Sequence, residues 1–195
     1  MHHLTLSSAL AILVTAGTAA AAPASKGPPP LPAHLPPGCQ PLAAAPPSAK
    51  VEGPILAAHL SVASCLAEHA LAALTVTPDD ASIAAMRQAV APAEAILDGV
   101  IAVGDPYWTL LAEDARRDLA VGLAVRVRTS LAGDDPAARL ALEDRIAPWL
   151  ADAASAAQVM AALGKAHPDL ATRDPVVAGA LGRSTDGPPA KVASR

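Results

Sequence analysis

The sequence predicts an all-α fold, an up-down bundle of four to five helices, on three observations. The first is punctuation that recurs along the chain: Thr77-Pro78-Asp79-Asp80, Gly104-Asp105-Pro106, Asp134-Asp135-Pro136 and Asp174-Pro175. In each, a Thr or Asp side chain can accept the free N–H groups of a helix start. Pro can take the first helical position, where its missing donor costs nothing. Gly104 and Gly133 stand where a left-handed residue ends the preceding helix. The second observation is apolar spacing of three and four residues between these boundaries. The third is that no stretch sustains the two-residue alternation of a half-buried strand.

The elements follow in order. Residues 1–22 carry no Lys, Arg, Asp or Glu, hold an apolar run from Leu4 to Val14 and end in Ala. That is the layout of a secretory signal peptide. Cleavage after Ala21 satisfies the small-x-small rule through Ala19 and Ala21. The run is too rich in Ala, Ser and Thr to make a good membrane span. Residues 23–53 are rich in Pro, Ala and Ser, which favours an extended, flexible arm over helix or central strand.

Residues 54–182 are expected to form the bundle, with helices near 54–75, 78–103, 106–132 and 136–164 and a short one near 175–181. In the first, Leu56, Leu60, Ala63, Ala67, Leu71 and Leu74 share a face. In the second, Ile83, Met86, Val90, Ala93, Leu97 and Val100 approach a heptad seam. The third has a broader stripe, using Trp108, Leu111, Ala115, Leu119, Val121, Leu123 and Val125, which marks a more central helix. The fourth uses Leu142, Ile146, Trp149, Ala153, Ala157, Met160 and Leu163. Pro92 and Pro148 fall inside the second and fourth, so each is expected either to be kinked or to be two shorter helices. Loops of two to four residues make neighbours antiparallel. Residues 183–195 read as a disordered tail.

Composition narrows the function classes. The net charge of −4 is mild and spread along the chain, which leaves no nucleic-acid footprint. Phe and Asn are absent and Arg outnumbers Lys, the bias of a GC-rich bacterial genome. Mean hydropathy is positive, but Ala inflates it. After the leader no window sustains about eighteen apolar residues without a charge, so the mature chain is expected to have no stable membrane span.

Candidate chemistry is sparse. Cys39 in the arm and Cys65 in the first helix are the chain's two cysteines. After export they are expected to pair as a disulfide. An alternative uses the same sulfurs as thiolates, with His34, Cys39, Cys65 and His69 as a tetrahedral zinc or copper set. Glu113-Asp114-Ala115-Arg116-Arg117-Asp118 places carboxylates beside guanidinium groups. It is read as a solvated or interhelical ion-pair face, with Glu113–Arg117 and Asp114–Arg117 as same-face pairs, and as a catalytic cluster only in third place. Trp108, Trp149, Met86 and Met160 read as core. No zinc-protease, haem-attachment, nucleophile-elbow, P-loop, dinucleotide-binding or di-iron motif is present. The expectation is an exported, non-enzymatic helical protein of the bacterial envelope or exterior, without cofactor, acting by protein–protein interaction. The runner-up is a periplasmic metal or small-ligand binder using Cys39, Cys65 and His69.

Overall fold

The computed structural model describes residues 30–39, 52–131 and 135–185, and among these the regular structure is helical without a strand. A 3-10 turn at Pro37–Cys39 is followed by α1 (Glu52–Ala73), α2 (Asp80–Ala102), α3 (Pro106–Ser130), α4 (Pro136–Ala166), α5 (Asp169–Arg173) and α6 (Pro175–Thr185). The all-α fold is as predicted, and α5 is an element that the apolar spacing did not announce. The leader and Gly133-Asp134 lie outside the described residues.

The helix starts follow the capping logic, with one correction. Asp105 accepts the N–H groups of Tyr107 and Trp108 at 2.9 and 3.1 Å, with Pro106 in the first turn. Asp135 accepts that of Ala137 at 2.9 Å beside Pro136, and Asp174 that of Val176 at 2.7 Å beside Pro175. Gly104, at φ +79°, supplies the left-handed residue between α2 and α3. At Thr77-Pro78-Asp79-Asp80 the cap is Asp79, so Pro78 stands outside the helix and not at its first position. The reason is local chemistry. The Thr77 hydroxyl donates to Asp79, whose other carboxylate oxygen takes the Ser82 N–H at 2.8 Å.

The predicted α2 seam is buried in full: Ile83, Met86, Val90, Ala93, Leu97 and Val100 all face the main core. They meet Leu56, Val62, Ala63 and Ala67 of α1, Leu119, Leu123 and Val127 of α3, and Leu142, Ile146, Trp149 and Ala153 of α4. The α3 stripe differs from expectation. Leu110, Ala112, Leu119, Ala120, Leu123, Ala124 and Val127 are buried, whereas Trp108, Leu111, Val121 and Val125 are only partly covered. α3 touches α1, α2, α4 and α6, so its buried set is drawn from several sides. Ala112, Ala120 and Ala124 let those neighbours approach closely. In α4 Ala156 is buried in place of Ala157.

Arg side chains tie the helices together at their ends. Arg126 donates to the Leu74 carbonyl just past α1, at 3.3 Å. Arg128 makes a two-pronged pair with Glu143 at 2.9 and 2.6 Å, closing the α3–α4 connection. Arg145 reaches the Pro78 carbonyl and Asp80 at the start of α2. Two helical stretches, residues 53–73 and 136–166, are long and apolar enough to cross a membrane by length and composition alone. Each also seats a stripe of its own in the core.

Pro92 and Pro148 interrupt neither α2 nor α4, which run through them as single helices. Both prolines are exposed. The carbonyls they cannot serve, those of Gln88 and Asp144 one turn earlier, belong to the same outer side. Pro92→Ala restores one hydrogen bond there without touching the core. It is expected to raise helicity by circular dichroism and to stabilise the fold by about 1 kcal/mol in urea titration. A net loss of stability would show that the bend itself is needed for packing.

Two predicted segment limits meet described residues. In the stretch expected to be a flexible arm, Leu31 and Leu35 lie against the main core and Cys39 is fully buried. In the stretch expected to be a tail, residues 183–185 form the last turn of α6.

Candidate functional site

Two places hold the residues singled out from the sequence. At the first, Cys39 and Cys65 form a disulfide with their Cα atoms 5.7 Å apart. The 3-10 turn presents Cys39 with its backbone N–H bonded to the Pro36 carbonyl at 2.8 Å, while α1 presents Cys65. The bond seats the turn on α1 and holds Leu31 and Leu35 near the core. His34 and His69 are both exposed. The proposed four-residue metal set therefore lacks two thiolates, which a bonded pair cannot supply. Among the described residues no three His, Cys, Asp or Glu side chains gather as a metal-binding group. His59, buried on the same helix, points its Nδ1 at the Ile55 carbonyl at 2.7 Å.

The second place is the charged run of α3. The pairs expected from spacing are not the pairs observed. Glu113 and Asp114 are both buried, at 5% and 8% exposure, and neither pairs with Arg117, which instead lies near Asp118 at 3.2 Å. Asp114 takes both prongs of Arg183 from α6. Glu113 lies 3.4 Å from Arg116, whose other nitrogen pairs with Asp98 of α2. The run is thus an interhelical junction: α3 holds α2 through Arg116 and α6 through Asp114. An ion pair between residues 69 apart leaves no local trace in the sequence, which is why Arg183 and Asp98 were missed.

The same end of α3 carries a further tie. Tyr107 donates its hydroxyl to Asp174 at 2.6 Å and packs edge-on against Trp108. That hydrogen bond favours the ionised Asp174, holding its carboxyl below the ordinary range, and raises Tyr107 correspondingly. On α4, Trp149 is core as expected, and Arg87 of α2 lies over its ring at 5.4 Å from the centroid.

Burial pushes the Glu113 carboxyl above its ordinary range; Arg116 opposes this and Asp98 adds to it. Glu94 of α2 is raised the same way, by burial first and then by Asp98 and Asp152. A carboxyl raised in the fold binds more protons there than in the unfolded chain, so its contribution is fully present below about pH 4.5 and is lost as pH rises through the folded value. Asp79 and Asp174 are lowered and act oppositely, losing their contribution as pH falls below 3.8. Thermal stability is therefore expected to be greater near about pH 5 than near about pH 7.5. Glu113→Gln should flatten that difference, which calorimetry at the two pH values reads directly. An unchanged difference would remove Glu113 from this role.

Chemically, the junction fastens helices. Among the described residues every buried side-chain nitrogen and oxygen has a hydrogen-bond partner. The Asp114 carboxylate and the Arg116 guanidinium are engaged across helix interfaces. No protein-family model, curated protein or solved structure matches this chain.

Proposed function

We propose that the chain is an exported, non-enzymatic helical protein of the bacterial envelope or exterior that acts by binding a protein partner through a helical face. The observation that carries this reading is that the strongest candidate for catalytic chemistry, the Glu113–Asp118 run, joins α3 to α2 and α6. The Cys39–Cys65 disulfide fits an oxidising compartment, in line with the secretory leader. Large apolar side chains also stand in solvent on the outer helices, Leu140 of α4 at 68% exposure and Val176 of α6 at 59%. Exposed apolar residues suit contact with a partner better than they suit an isolated surface.

The test has two arms. Protein recovered from the exporting host should begin at or near Ala22 by intact mass; material still carrying residues 1–21 overturns the export reading. Pull-down from the native envelope should recover a stoichiometric partner, and Leu140→Glu or Val176→Glu should release it while the circular dichroism spectrum is unchanged. Recovery of no partner, or turnover of a substrate by the purified protein, would refute the binding function.

A further inference from the structure

α6 is fastened to the bundle by a lock separate from the main core. Its buried residues, Val177 and Ala180, meet Leu110 of α3 and Met160 of α4 in a cluster distinct from the one beneath α1 to α4. Gly164 of α4 makes room for Leu181: a Cβ built there would lie 2.6 Å from Leu181 Cδ2. Beside it, buried Asp114 receives the Arg183 guanidinium, and Tyr107 holds Asp174 at the head of the helix. The groove is therefore specific. It asks for a branched apolar side chain over Gly164 and, two positions on, a guanidinium for Asp114.

The connector to α6 is hinge-like. α4 ends at His167, whose φ of −132° and ψ of 66° leave the helical region, and α5 buries no residue fully. Pro168 and Pro175 keep α4, α5 and α6 from merging into one helix. Seven residues, 167–173, span up to about 24 Å when extended. Swinging α6 out uncovers the satellite cluster and leaves the main core intact.

We propose that α6 is exchangeable, and that the groove on α3 and α4 accepts α6 of a second copy of this chain, closing a symmetric dimer. A second copy carries the same Leu181 and Arg183 at the same spacing, so the exchanged contact reproduces every element of the closed one. In the closed chain α6 competes at high effective concentration, so exchange is favoured by refolding at high protein concentration. This self-association is independent of the envelope-partner reading and stands or falls without it.

The experiment reverses the lock. Full-chain Asp114→Lys and Arg183→Glu each place like charges together in the closed form. Refolded as an equimolar mixture with the disulfide intact, they match only when α6 is exchanged between them, where one of the two junctions has its charges reversed and the other is native. Light scattering and native mass spectrometry are expected to show a heterodimer at least about tenfold above the dimer of either variant alone. Adding Gly164→Val to the Asp114→Lys chain should abolish it by blocking the Leu181 seat. A mixture that stays monomeric while both variants keep their helical spectrum overturns the proposal. If either variant fails to fold, two wild-type preparations of different isotopic mass are co-refolded at high concentration. A mixed-mass dimer supports exchange, and its absence refutes it.

Discussion

Cys65→Ala is expected to destabilise the protein by about 3.5 kcal/mol, the chain-entropy value for a bridge between residues 26 apart. The melting temperature should fall by about 10 °C, since one kcal/mol moves a domain of this size by a few degrees. The effect has a definite location. With the bond gone, residues 30–39 keep only the contacts of Leu31 and Leu35, so hydrogen exchange at the Cys39 amide should rise toward that of an unstructured chain. Non-reduced digests of the wild type should give one cross-linked peptide pair and no alkylatable thiol. His69→Ala, on an exposed side chain, should leave stability nearly unchanged. Stoichiometric zinc or copper in fresh protein, lost on His69→Ala, would reverse the assignment of the two sulfurs.

Leu123→Ala is expected to cost about 3 kcal/mol, through lost transfer energy and a cavity that the bundle fills only in part. Leu123 is buried in the main cluster on the helix that touches α1, α2, α4 and α6. Removing it should lower the urea midpoint of the whole bundle in one cooperative transition. Leu110→Ala, a truncation of the same chemistry on the same helix, faces only the satellite cluster. It should loosen α6 first, seen as faster exchange over residues 175–185 while α1 and α2 stay protected. Equal, global loss for both variants would mean that the two clusters melt as one.

Much of the fold was legible because it depends on short-range chemistry. The α2 seam could be read in full, since a helix with one covered face writes its burial as three-four spacing. Asp105 and Asp135 could be placed as caps because a cap acts on N–H groups two or three residues away. α3 resisted the same reading. A helix packed on several sides has no single face, and Leu110 and Val127 are buried by neighbours that come from distant parts of the chain.

The sequence by itself determined the all-α class, most helix limits and the pairing of the two cysteines, since each follows from local geometry or from a choice of one partner. It did not determine what the charges of α3 do. Glu113 and Asp114 have the spacing of an ordinary solvated face, and Arg117 lies within reach of both along the helix. Only tertiary structure brings Arg183 to Asp114 and Asp98 to Arg116, because an ion pair forms wherever packing delivers two charges, whatever their separation in sequence. Burial then decides the rest: the same carboxylate that water would hold at its ordinary acidity is raised at Glu113 because the packed helices take that water away.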